Sequence, residues 1–140
     1  MTSPVIVRDM RGVEAWLRAL ADAWEHADPD AAAELFTDDA TYSTDPYSPP
    51  RRGRPAIRDY WAGEVAGQHG VRVRFGTPVA SGQKVAAEWW ATLADSAEGP
   101  TTLAGIVVLR FAADGRCAEL REYWMASPWV IADPQPGWGR

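Results

Sequence analysis

Three acids in this chain have surroundings that suit chemistry: Asp45, Glu122 and Glu88. Asp45 closes the stretch Phe36-Thr-Asp-Asp-Ala-Thr-Tyr-Ser-Thr-Asp-Pro46, directly before a proline. A carboxylate there can shuttle a proton if a substrate is held within hydrogen-bond reach. Asp-Pro is also a common turn, in which the side chain accepts from the backbone just ahead of it. Tyr42 and Tyr47 flank Asp45, and each offers a hydroxyl to an oxyanion or simply packs at a rim. Glu122 lies on the last strand pattern. Its face carries Ala118, Leu120 and Trp124, against Cys117, Glu119, Arg121 and Tyr123 on the other. The first face is more apolar and should meet the helices. A carboxylate on it is costly unless it is paired or lines a wet cavity. The readings are an acid–base group with a raised pKa, or a carboxylate that sits at a solvated strand end or pairs with an arginine. Glu88 sits between apolar residues on both faces of its strand, which leaves its side open.

Other chemistries find little support. His26 and His69 have no metal-ligand spacing to each other or to acids, and no HxH, HExxH or CxxC pattern occurs. Ser43 and Ser48 have no partner histidine nearby, and no GxSxG elbow is present. No phosphate-cradling glycine motif or dinucleotide fingerprint occurs, so neither metal nor cofactor is expected. The single cysteine, Cys117, excludes an internal disulfide and fits a reducing compartment. It is expected on an outer face, as an interface or surface thiol. The start, Met-Thr-Ser-Pro-Val-Ile-Val-Arg, lacks the apolar core of a leader, so a cytoplasmic location is expected. A net charge of −5 argues against a nucleic-acid surface. Arg51-Arg52-Gly53-Arg54 is the one basic cluster, either a solvated loop or a contact for phosphate or carboxylate. No apolar run approaches the ~20 residues that span a bilayer.

The elements that must position these groups fall into two blocks within one domain of 140 residues. Val13, Trp16, Leu17, Leu20, Ala21 and Trp24 give residues 9–26 the stripe of an amphipathic helix. Asp28-Pro29 then opens a short second helix, with the acid as cap and the proline in the first turn. Thr37, Asp38 and Asp39 read as a turn, and Ala40 to Thr44 as a short strand. Gly53-Arg-Pro55 opens a third helix with Ile57, Tyr60, Trp61 and Val65 on its apolar face, ended by Gly67 and Gly70. The period then changes from 3.6 to 2. Strands are predicted at 71–75, 85–93, 101–111 and 116–124, the last two joined by a hairpin loop at Ala112 to Gly115. Residues 126–140 are expected to form an irregular tail that docks through its tryptophans. Helices first and antiparallel strands after define an α+β fold. Ile106 and Val108 make the 101–111 strand apolar on its second face too, so something must cover it. A second copy is the simplest cover, which predicts a homodimer through the outer sheet face.

The order of helix, short helix, "LFTDDATYSTDP", glycine-led helix and a sheet ending "LRFAADGRCAELREYW" resembles the NTF2-like superfamily, especially its SnoaL-like and ketosteroid-isomerase-like members. The likeness covers residues 11–125. It implies a cone of three N-terminal helices on a strongly curved, mainly antiparallel sheet, often dimeric, around an apolar small-molecule pocket. It also implies a cofactor-independent enzyme of isomerase, cyclase or hydrolase type, or a non-catalytic binder of the same fold. Asp45 matches the isomerases' proton shuttle, with one extra residue in the segment. Their two oxyanion donors correspond to Leu20 and Val107, which cannot donate. Glu122 matches, by position, the late-strand carboxylate of SnoaL-type cyclases. Arg110 and Arg121 fall on outward faces, so the Asp–Arg–Asp arrangement of related epoxide hydrolases is not evident. The implied pocket walls are Trp16, Leu20, Trp24, Tyr42, Tyr60, Trp61, Trp89 or Trp90, Val107, Leu109, Phe111 and Trp124.

Overall fold

The computed structural model describes residues 2–140. Helix α1 spans Met10–Glu25 and α2 spans Pro29–Glu34. The Asp9 carboxylate accepts from the Arg11 backbone N–H at 3.0 Å, and Asp28 does the same for Ala31 at 3.0 Å. Each satisfies a donor that the helix start leaves without an internal partner. Strands β1 (Phe36–Ser43) and β2 (Arg51–Arg52) come next. Gly53, at φ +86°, then turns the chain into α3 (Arg54–Ala66), a conformation that suits glycine. The rest is strand: β3 (Gln68–Phe75), β4 (Val79–Ser81), β5 (Lys84–Asp95), β6 (Gly99–Phe111) and β7 (Cys117–Pro128).

These strands form one curved, open, seven-stranded sheet in the order β2-β1-β7-β6-β5-β3, with β4 beside β5. Every pairing is antiparallel except β1 with β7. The helices lie on the concave side. There α1 presents Val13, Trp16, Leu17, Leu20 and Trp24 to inward residues of the sheet such as Ala87, Leu109 and Phe111. This is the α+β, NTF2-like architecture expected from the pattern.

Four local features differ from the sequence reading. Thr37 to Asp39 lie in β1 rather than in a turn, and the β1–β7 register shifts between Phe36 and Thr41 to accommodate them. Gly70 does not end α3: it sits inside β3 at φ +62°, where the β3–β5 register shifts. The last strand runs to Pro128, pairing Met125 to Pro128 with Thr101 to Ala104, so the irregular tail starts later than residue 126. The tail then crosses the convex face. The Trp90 indole N–H donates to the Ala132 carbonyl at 2.9 Å, and Thr102 Oγ1 donates to the Val130 carbonyl at 2.6 Å.

Cys117 is the fourth. It is fully buried, not on the outer face. Arg110 pairs with Glu119 but Phe111 pairs with Cys117, so Ala118 is an extra residue in β7. This β-bulge resets the alternation. Cys117 and Leu120 therefore both point inward, and burial pushes the Cys117 thiol pKa upward.

Gly105 lets β7 and the Trp89 ring approach β6 closely. A Cβ at this position would collide with the Tyr123 carbonyl and lie 2.9 Å from Trp124 Cβ and Trp89 Cε2. Gly105→Ala should therefore lower unfolding free energy in urea by about 1–3 kcal/mol, the usual range for overpacking against backbone that cannot retreat.

Candidate functional site

The narrow end of the cone is solid. Trp16 stands edge-on to Phe36 at 5.6 Å and to Phe111 at 5.4 Å, and its indole N–H donates to the Leu35 carbonyl at 2.9 Å. Leu20, Val107 and Leu109 fill the space around them. These five of the sequence-predicted wall residues (Trp16, Leu20, Val107, Leu109 and Phe111) are core and do not reach the cavity.

The wide end holds a cavity of about 350 Å³. Its aromatic walls are Trp24, Tyr42, Tyr60, Trp61, Trp89 and Trp124. Trp24 stands 5.6 Å from both Trp61 and Trp89, steeply tilted to each, and its own N–H is taken by Gln68 Oε1 at 2.6 Å. Tyr42, completely buried, lies 5.1 Å from the Tyr60 ring. Trp124 is half exposed at the mouth, where its N–H donates to the Thr44 carbonyl at 3.2 Å.

Trp90 and Glu88 do not line this space. Trp89 pairs with Gly105 and points inward, so Trp90 and Glu88 point outward. Trp90 instead packs edge-on to Trp138 of the tail at 6.0 Å. Glu88 lies opposite Ile106, which is exposed on the convex face. The period of two decides both positions once one tryptophan is fixed inside.

Among the three acids, only Glu122 enters the cavity. It pairs with Val107, an inward position of β6. The residue as a whole is half-buried, but its carboxyl end is turned away from water. That burial pushes its pKa up to about 8. The Tyr60 hydroxyl donates a long hydrogen bond to Glu122 Oε1, at 3.4 Å, and opposes the rise. Glu64 adds like-charge repulsion, while the Arg51 guanidinium pulls the other way. Arg51 sits 4.4 Å from the centre of the Tyr60 ring and makes no ion pair with Glu122. Burial and the nearby Glu122 charge raise the Tyr60 pKa, so its hydroxyl stays a donor at ordinary pH.

Asp45 is a turn carboxylate. Its Oδ1 accepts from the backbone N–H groups of Tyr47 at 2.7 Å and Ser48 at 2.8 Å, and these bonds lower its pKa. It lines neighbouring pockets together with Glu122 and Tyr123, outside the aromatic cavity. The Asx-turn alternative for Asp-Pro is therefore the observed one.

Sequence reasoning missed Arg51, Glu64, Gln68, Asp95 and Glu98 as cavity residues. Glu64 was within reach, since it lies three and four positions after Trp61 and Tyr60 and shares their helix face. Asp95 and Glu98 come from a turn that the Asp95 side chain itself closes, accepting from Ala97 and Glu98 N–H groups at 2.8 and 2.9 Å. No periodic signal announces that. No cluster of three or more metal-type ligands exists among the described residues. No helix among the described residues is long and apolar enough to cross a membrane.

The fold and this site define an NTF2-like cone with a single acid on the late strand turned into an aromatic cavity. The sequence pattern of the SnoaL-like domain matches residues 17–120, and the chain belongs to that family. Two solved structures are similar in fold. One is reported as the epoxide hydrolase/cyclase-like enzyme SalBIII, with a role in pyran ring formation in the polyether salinomycin. It is 22% identical, with a TM-score of 0.75, covering 88% of this chain and 100% of its own. The other is a hypothetical protein with a ketosteroid isomerase-like fold from Catenulispora acidiphila DSM 44928, in complex with trimethylamine. It is 23% identical, with a TM-score of 0.69, covering 77% of this chain and 83% of its own. At these identities the likeness establishes the fold. Among curated proteins there is no match.

The Glu122 carboxyl carries a sign that solution measurements can read. Its folded pKa of about 8 lies above the ordinary value of 4.5, so the folded state holds the proton more tightly than the unfolded chain. Its contribution to stability is therefore lost as pH rises from about 4.5 through about 8. Glu122→Gln should be as stable as the parent at pH ~5 and more stable at pH ~9, by up to a few kcal/mol. Urea unfolding at the two pH values reads this directly, and an equal difference at both would contradict it.

Proposed function

We propose that this protein is a cofactor-independent SnoaL-like enzyme in which Glu122 moves a proton on an apolar small molecule held in the aromatic cavity. The carrying observation is the Glu122 carboxyl, turned from the sheet into a cavity large enough for a ligand, with burial raising its pKa to about 8. Near pH 7 the group is mostly protonated and acts first as an acid. It gives its proton to a substrate oxygen, and the resulting carboxylate accepts the Tyr60 hydroxyl bond while Arg51 stabilises its charge. The carboxylate then takes a proton from a second atom of the same substrate, which returns it to its starting state. Isomerisation and cyclisation fit this cycle, and hydrolytic opening fits it when the second proton comes instead from the water that adds to the substrate. The SalBIII relative supports the cyclase and epoxide side of that range. Leu20 and Val107 stand against ketosteroid isomerisation by the usual donors.

Those same apolar replacements favour a second reading, a binding protein of the same fold with no chemistry. Neutral epoxides and enolisable ketones, screened by product analysis, separate the two. In an active preparation, Glu122→Gln should reduce turnover at least ~10²-fold with ligand affinity retained. Asp45→Asn should change turnover little. Binding without turnover in the parent protein would establish the second reading.

We also infer a homodimer through the convex sheet face and a cytoplasmic location. Ile106, Tyr123 and Met125 are exposed on that face, beside the area the tail covers. The single buried, unpaired Cys117 suits a reducing compartment. Sedimentation should give a dimer for the parent chain, and Ile106→Arg should shift it to monomer. A monomeric parent at tens of micromolar would exclude this interface.

A further inference from the structure

Two polar atoms beside the cavity have no hydrogen-bond partner in the protein: Nε1 of Trp61 and Nε1 of Trp89. Both side chains are more than nine-tenths buried, at 5% and 4% exposure, and both line the cavity wall. The other tryptophans described so far contrast with them. Trp16, Trp24, Trp90 and Trp124 each donate to a carbonyl or amide oxygen. An indole buried at this depth ordinarily finds an acceptor, and an orphaned buried donor is uncommon enough to need a reason. Among the described residues the Trp24 ring, tilted 5.6 Å from each, is the one aromatic ring in contact with both. A ring face takes an N–H much more weakly than an oxygen does.

The cavity also holds the carboxyl groups of Glu64, Asp95 and Glu98, but several groups near the Glu122 carboxyl are donors. The Tyr60 and Tyr42 hydroxyls, Arg51 and the protonated Glu122 all offer hydrogens. A saturated hydrocarbon would leave the two indole N–H groups unmet. We propose that the indole N–H groups of Trp61 and Trp89 are ligand-binding donors, and that the cavity selects an apolar molecule bearing carbonyl or ether oxygen. They supply from α3 and β5 the donor function that Leu20 and Val107 cannot provide. Neither nitrogen is open to water, so the proposal requires the indole edge to turn toward the cavity when the ligand enters. The proposal rests on the reading of the cavity as a small-molecule pocket, and it gives that pocket a substrate class.

The test compares 2-decalone with 2-methylenedecalin, which keeps the shape and removes the acceptor. The chain has eight tryptophans, so the ¹⁵N-labelled protein shows a small, separable set of indole resonances. Trp61→Phe and Trp89→Phe assign two of them, and selective isotope labelling of the parent chain assigns them if a variant fails to fold. The ketone should bind about tenfold more tightly than the alkene, the size of one or two net hydrogen bonds. It should also move the Trp61 or Trp89 indole protons downfield, and the alkene should not. Equal affinity for the two, or ketone shifts confined to other indoles, overturns the proposal but leaves the pocket reading standing. Failure of both compounds to bind sinks both. A Glu122 carboxyl that titrates near 4.5 rather than near 8 removes only the proton-transfer reading.

Discussion

One extra residue in the last strand sets the chemistry of this protein. Ala118 bulges out of the β6–β7 ladder, so Cys117 and Leu120 both face the core. Without the bulge, a strand that buried Cys117 would turn Glu119 and Arg121 inward and Glu122 outward. Leu120 and Cys117 are among the most deeply buried side chains in the chain, so the register on either side of the bulge is held by packing. Glu122 inherits its inward orientation from those neighbours. Its own burial is unfavourable, and the packing of the strand overrides it.

The same strand explains why the cavity lies at one end only. Toward the bulge, Phe111, Leu109 and Cys117 meet Trp16, Phe36 and Leu20, and large side chains close the cone. Toward the other end of β7, the facing positions on β6 are Gly105, Leu103 and Thr101. Smaller residues there leave room that Trp24, Trp61 and Trp89 frame without filling. The acid stands at the boundary between the filled and the open part. It is therefore shielded from water yet within reach of a ligand, which is the condition that raises a carboxyl pKa.

The convex face divides in a similar way. The tail fixes its tryptophan and its backbone to Trp90, Thr102 and Thr77, covering the β3–β5 side. Ile106, Tyr123 and Met125 on the β6–β7 side remain exposed. Trp90 and Glu88 belong to this outer surface, and their roles are to be sought there rather than in the cavity.

The sequence by itself determined the α+β order, the cap at Asp28, the apolar stripe of α1 and the inward face that carries Leu120, Glu122 and Trp124. Each is a local matter of period, propensity or a side chain within a few residues of its partner. Tertiary structure alone decided the rest. Whether Trp89 or Trp90 is inside depends on register against β6, which alternation within one strand cannot reveal. Cys117 is buried because of a bulge that a strict two-residue period does not contain. Asp45 satisfies its own turn, while Glu122 acquires its pKa from water excluded by Tyr60 and its neighbours on other elements. The cavity arises because large residues converge at one end of the cone and small ones at the other. Convergence of that kind is a property of the folded sheet, and no stretch of the chain encodes it alone.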